Sequence, residues 1–208
     1  MLIGNSIYLR LFEPGDFEFT HKWHTDPEIQ ASLCMPRRFI SKEIEKNWAL
    51  SKASNNNADI YLAICDKATD KMIGWYSMNN IDYRNRKCHC GGVVIGDREF
   101  RNGDAYQEAG LLCIDYLFEQ MNMHRITGAC LESHVMSRAT LEARGFVLEG
   151  VERDTLFKDG KYHTVYKYSL LENEYRQFKA NFQEKEYLKK LVAIAKRIKK
   201  ELKEKAAV

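Results

Sequence analysis

Val93-Val94-Ile95-Gly96-Asp97-Arg98-Glu99-Phe100-Arg101-Asn102-Gly103-Asp104-Ala105 passes from a short apolar stretch through a polar loop into the strongest helical pattern of the chain. From Asp104 to Met121 the positions Ala109, Leu112, Cys113, Tyr116 and Leu117 keep helical spacing, with Gln120 the one polar intruder. The segment therefore predicts a strand, a loop and a long helix in direct succession. A loop that opens a helix presents unpaired backbone N–H groups at the positive end of the helix dipole, which suits a pyrophosphate. Two arginines and Gly103 add to that character.

Upstream, residues 6–11 alternate apolar and polar side chains up to the turn signal Pro14-Gly15 and read as a strand. A helix is expected over 17–24, with Pro27 near its end. A second helix starts near Ser41, a good N-cap residue, with Glu43 and Glu45 in its first turn and Ile44 and Trp48 on one face, and runs to about Ser54. After a polar loop at 54–57, strands over 60–66 and 71–78 form a hairpin, and a further strand covers 87–95.

Downstream come a strand over 125–131, a helix over 136–144 that stops at Gly145, and strands over 146–157 and 161–171 joined at Asp159-Gly160. Strand–helix–strand units within a mainly antiparallel series predict an α+β fold. Its central sheet is mixed and mostly antiparallel, with helices on both faces and a basic helix added at the C-terminus.

Composition sets the outer limits. A chain of 208 residues, 45% hydrophobic and 29% charged, matches an ordinary globular protein. It is expected to hold one domain over 1–175 and an extension over 176–208. Apolar runs fall far short of the roughly 20 residues of a membrane span. The start has no basic n-region or apolar h-region, so a cytoplasmic location is expected. The six cysteines read as reduced thiols, and Cys88-His89-Cys90 lacks the further ligands of a zinc site, so no metal is expected. The net charge of +3 is uneven: eleven Lys/Arg against four Asp/Glu from Arg176 onward give about +7, leaving about −4 for the rest.

About thirty residues beyond the loop stands His134-Val135-Met136-Ser137-Arg138-Ala139-Thr140-Leu141-Glu142-Ala143-Arg144-Gly145-Phe146. This resembles the Asn-x-x-Ser-x-x-x-Leu-x-x-x-Gly-Phe segment that closes the cofactor site in the GNAT superfamily of N-acetyltransferases. The resemblance extends from Ile7 to about Tyr175. Tyr8-Leu9-Arg10, Asp16 and Trp23-His24-Thr25-Asp26-Pro27-Glu28 are similar to the opening of the ribosomal-protein and amino-sugar acetyltransferase branch. Ile73-Gly74, Glu108-Ala109, Gly160-Lys161-Tyr162 and 168–175 are similar to its later segments. The family's pyrophosphate loop, Gln/Arg-x-x-Gly-x-Gly/Ala, can be aligned in two ways. Starting it at Arg101 puts Asp104 and Tyr106 at the small positions, whereas a shift by one residue puts Gly103 and Ala105 there. The second register is preferred because glycine then stands where the backbone passes the phosphates.

The resemblance implies direct transfer of acetyl from acetyl-CoA to a primary amine, with no metal. Acetyl-CoA would be held by Val93, Val94 and Ile95, by the loop Arg101, Asn102, Gly103, Asp104 and Ala105, and by His134, Ser137 and Arg138. Ser137 would protonate the departing thiolate, and His134, Glu99 or Asp97 would take the amine's proton. Trp23, His24, Tyr162 and Tyr166 would line the acceptor side, and Glu108 would give a supporting hydrogen bond. The acceptor, a protein α-amine, an amino sugar or another small amine, stays open. The rival reading is a non-catalytic binding protein on this scaffold, its phosphate loop impaired by Asp104 and Tyr106, and its tail contacting RNA or a protein.

In the tail, Tyr187, Leu191, Ile194, Ile198 and Leu202 form an apolar stripe on a basic helix. Packing on its own domain or in a homodimer is expected ahead of contact with nucleic acid or membrane.

Overall fold

The computed structural model describes residues 1–54 and 58–206. Apart from Ser54, the loop expected at 54–57 lies outside them. The chain divides into two compact units, Met1–Ala31 with Arg37–Met123, and Ser32–Pro36 with His124–Val208. In each, antiparallel strands are flanked by helices, as the α+β reading requires.

In the first unit, strands β1 (Leu2–Ile3), β2 (Ile7–Leu11), β3 (Ile60–Asp66), β4 (Met72–Asp82) and β5 (Lys87–Ile95) pair in sequence order, each antiparallel to the next. Their inward side chains, including Leu9, Ile64, Ile73 and Met78, are buried. Helices α1 (Phe17–His24), α2 (Pro27–Ser32), α3 (Lys42–Ser54) and α4 (Asp104–Asp115) complete the unit. Ser41 caps α3, its hydroxyl accepting from the Ile44 N–H at 3.2 Å. Beyond α4 the helical path continues through a π turn at Tyr116–Gln120, closed by Met121 N–H on the Tyr116 carbonyl, so the expected helix to about Met121 is present with a widened last turn.

Helix α2 was not expected. Pro27 does not simply end α1: it opens a new helix at a position where its missing N–H costs nothing, and Asp26 accepts from the Glu28 N–H at 2.8 Å. Strand β4 runs four residues past the expected end at Met78.

The β4–β5 register slips between Tyr76 and Ser77, whose partners are Val93 and Gly91. Gly92 is the extra residue of this bulge, with φ of +50°, and a Cβ there would stand 2.8 Å from the Ser77 hydroxyl. Only glycine fits both the backbone angle and the space. Ser77 holds the bulge by donating to the Gly91 carbonyl at 2.7 Å.

The second unit contains β6 (Arg125–Leu131), α5 (Val135–Ala143), β7 (Val147–Lys158), β8 (Lys161–Leu171), α6 (Glu172–Ala180) and α7 (Glu184–Ala206). Strand β8 pairs antiparallel with both β6 and β7. The tail is thus two helices, broken after Ala180. Helix α7 lays Tyr187, Leu191, Ala195 and Ile198 onto Ala139 and Ala143 of α5, with Ile194 and Leu202 partly buried beside them. The apolar stripe read from the sequence is therefore covered by the same chain. No described helix is long and apolar enough to cross a membrane.

Candidate active site

In the first unit, β5 leaves the Gly92 bulge and delivers Val93, Val94 and Ile95 to the loop ahead of α4. Val94 is buried and pairs with Trp75. Gly103 is the N-cap of α4, with φ of +105° and no side-chain cap of its own. A Cβ there would touch nothing within 4 Å, so it is the left-handed backbone, not crowding, that favours glycine. Asn102 braces the turn, its amide oxygen accepting from the Asp104 N–H at 3.0 Å and its amide nitrogen donating to the Asp104 carboxylate at 2.9 Å. Ala105 is buried.

Arg101 is occupied differently from the sequence expectation. Its guanidinium donates to the Ile95 carbonyl (3.0 Å), the Gly96 carbonyl (2.9 Å) and Glu28 (3.0 Å), with Asp26 at 3.6 Å. It clamps the end of β5 to the start of α2. Glu99 is exposed, its N–H donating to Asp97. Asp97 itself is bonded to Lys71, which holds its carboxyl below the usual carboxylate range and leaves it a weak base. Glu108 accepts from the Ser6 N–H at 3.1 Å and from Asn5 and the Ser6 hydroxyl, tying the N-terminus to α4.

Trp23 and His24 reach the same region from α1. The Trp23 indole lies where a side chain on Gly96 would stand and stacks on Trp75 with centroids 5.8 Å apart. The His24 ring is flanked by Trp48 at 4.9 Å and Trp75 at 4.8 Å, and Phe12 and Tyr61 complete the aromatic cluster around Trp48. Nδ1 of His24 stands 2.9 and 3.0 Å from the two oxygens of Glu45, a carboxylate whose residue is only 1% exposed. A buried carboxylate is tolerated only with such a partner. Glu45 was read from the sequence only as a first-turn acid of its helix, and Trp75 was not singled out. Helix α3 turns Glu45 inward and leaves Ile44 59% exposed, against the face read from the sequence.

In the second unit, His134 is the N-cap of α5, its Nδ1 accepting from the Ser137 N–H at 3.2 Å. That contact sets a neutral ring with its proton on Nε2, and burial lowers the imidazole's pKa to favour the same form. Histidine thus does here what asparagine does well at a helix start. Ser137 is half-buried in the first turn.

Arg138 is buried. It donates to the Glu132 carbonyl and to Glu201 of α7, each at 3.3 Å, and stacks 4.4 Å over the Tyr166 ring. Its guanidinium is thereby committed to its own chain. Tyr166 is buried with its hydroxyl on Glu132 at 3.1 Å, whereas Tyr162 is 63% exposed against Phe157. The two tyrosines expected together are in different surroundings. Burial pushes the Cys130 thiol up to about 12, which deprives it of nucleophilic character.

A family profile described as "Acetyltransferase (GNAT) domain" matches residues 6–147. The chain belongs to the GNAT acetyltransferase family. It is accordingly an acetyl-CoA-dependent N-acetyltransferase. A protein of Bacillus subtilis named as a ribosomal N-acetyltransferase, YdaF, is 33% identical over 184 residues, covering 83% of this chain and 95% of that one. The spermidine N(1)-acetyltransferase of Vibrio cholerae is 22% identical over 174 residues, covering 83% of this chain and 97% of its own. A crystal structure of spermidine N-acetyltransferase from Vibrio cholerae in complex with CoA and spermine has the same fold. Its TM-score is 0.75 at 21% identity, over 83% of this chain and 99% of that one.

Proposed function

We propose that this acetyltransferase moves acetyl from acetyl-CoA directly to the primary amine of a small molecule or peptide. His24, oriented by Glu45, takes the proton of the incoming ammonium. The observation that carries this reading is the His24–Glu45 pair inside the Trp23, Trp48 and Trp75 cluster, beside the strand that leads to the loop before α4.

A cofactor pyrophosphate would lie at the start of α4, where Gly103 leaves room above its backbone and Asn102 holds the turn through the Asp104 N–H. When bound, acetyl-CoA supplies the activated carbonyl. Backbone N–H groups of Val93, Val94 and Ile95 are the proposed partners of its pantetheine arm and carbonyl oxygen. Glu45 accepts the His24 Nδ1 proton, which leaves the Nε2 lone pair to accept the ammonium proton, the arrangement of a base held by a third group. The aromatic faces attract the cation before it is deprotonated. Ser137, through its family position, remains the proposed donor to the departing thiolate.

Calorimetric titration with acetyl-CoA, then release of free CoA thiol in the presence of spermidine, amino sugars and short peptides, tests the proposal. Micromolar binding that Gly103→Asp abolishes is expected. His24→Ala should keep cofactor binding and lower kcat by about 10²–10⁴. Absence of binding at millimolar acetyl-CoA would refute the cofactor assignment, and an unchanged kcat in His24→Ala would refute the base.

A further inference from the structure

Beside the His24–Glu45 pair the first unit holds a cavity of about 640 Å³, a size that suits a small-molecule ligand. Thr25 and Ile44, the chain neighbours of His24 and Glu45, both line it. The rest of its wall comes mainly from residues 37–41, between α2 and α3. That loop is held from both earlier helices. Nε2 of His21 stands 3.0 Å from the Ile40 carbonyl, and the Gln30 amide nitrogen donates to the carbonyls of His24 and Arg38. One nitrogen thus bridges the backbone of the proposed base and the backbone of Arg38.

The cavity's chemistry is one-sided. Phe39, Ile40 and Ile44 give it apolar walls, and Arg37 and Arg38, both exposed, bring two guanidinium groups. No carboxylate lines it. Asp26 and Glu28, on either side of Pro27 in its wall, are engaged by Arg98 and Arg101, and Glu45 is engaged by His24. Among the described residues no carboxylate pairs with the Arg38 side chain. A polyamine needs acidic partners for the ammonium groups that do not react, and here it would meet like charges. An amine joined to an anion finds a partner for each part: His24 for the ammonium, the apolar walls for the body, and a guanidinium fork for the carboxylate or phosphate.

We propose that the acceptor is an amine carrying an anionic group at its far end, which Arg38, with Arg37 beside it, binds while the amine lies at His24. The inference rests on His24 as the base of the proposed transfer.

The test titrates the CoA-loaded full chain by calorimetry with two matched pairs, alanyl-leucine and its C-terminal amide, and aminohexyl phosphate and aminohexanol, and with spermidine. Acetyl transfer to each is then followed as kcat and KM. At least one anionic member should bind about 10–100-fold more tightly than its neutral partner, the worth of a charge-assisted hydrogen bond, and more tightly than spermidine. The pair that responds distinguishes carboxylate from phosphate. Arg38→Gln should bring that pair to within a few-fold through KM, with kcat retained and the thermal midpoint unchanged, because the residue is exposed. Arg38→Lys should keep part of the preference, and acetyl-CoA affinity should be equal in parent and variant. Selective binding without turnover would support this inference and remove the base, whereas turnover without selectivity would do the opposite. Equal affinities within both pairs, absence of binding at millimolar concentration, preference for spermidine, an unchanged preference in Arg38→Gln, or a parallel loss of acetyl-CoA affinity would each overturn it.

Discussion

The starts of α4 and α5 are the two helix N-termini that the sequence marks for the cofactor, and they are finished in opposite ways. Gly103 begins α4 in a left-handed conformation with no side-chain cap of its own, and the Asp104 N–H is bonded to Asn102. His134 begins α5 with its imidazole bonded to the Ser137 N–H, and Arg138 in the next position is enclosed by Glu132, Tyr166 and Glu201. A glycine start leaves space for a ligand over the helix end, whereas a side-chain cap stabilises the helix and fills that space. Changes at the first should therefore act on ligand affinity, and changes around the second on stability.

The largest effect should come from the layer beneath α7. Ile198→Ala, at a fully buried position in the cluster with Ala139 and Ala143, should lower unfolding free energy by about 2–5 kcal/mol in denaturant titration. It should leave acetyl-CoA affinity in the surviving folded protein within a few-fold. Gly103→Ala should do the reverse, weakening acetyl-CoA at least tenfold, because a Cβ at this positive φ forces the open turn to rearrange.

His134→Ala should cost about 0.5–2 kcal/mol through loss of the cap, and His134→Asn should restore most of it. The imidazole's lowered pKa adds a pH signature. The folded state favours the neutral ring, so this contribution is full above about pH 6.5 and is lost as pH falls through the folded pKa. Thermal midpoints from pH 8 to 5 should show that decline in the parent and a flatter profile in His134→Asn. The smallest effect belongs to Lys205→Ala. Its pair with Glu132 is exposed on the lysine side and should be worth no more than about 0.5 kcal/mol in the same titration. A cofactor effect from His134→Ala as large as that from Gly103→Ala would break the contrast between the two helix starts.

Much of the fold was legible because its signals are local. Alternation in 6–11, helical spacing from Asp104, and the Asp159-Gly160 turn each act over a few residues, and the elements appear where they point. Helix α2 was missed although Asp26-Pro27 is a helix-start signal, because proline was read as a terminator. The Gly91-Gly92 pair was visible too, but a bulge needs the partner strand to declare which residue is extra. For the site, Trp23 and His24 were read as lining the acceptor side, whereas the partner that orients His24 was not read at all. Glu45 is twenty-one residues away on another helix, and nothing in the spacing joins them.

The sequence by itself determined the element types, the family and the amphipathic nature of the tail, since these rest on periodicity and on motifs read along the chain. Only the tertiary structure decided where side chains with several possible partners are spent. Arg101 and Arg138 are both arginines in cofactor motifs, yet each forms its hydrogen bonds within the chain, to carbonyls at the end of β5 or to the rim of α7. The tail's apolar stripe could have met another subunit, a membrane or α5, and the complementary small residues Ala139 and Ala143 took it. Long side chains and apolar stripes satisfy themselves with whatever folding brings near, and that proximity is not written in local sequence.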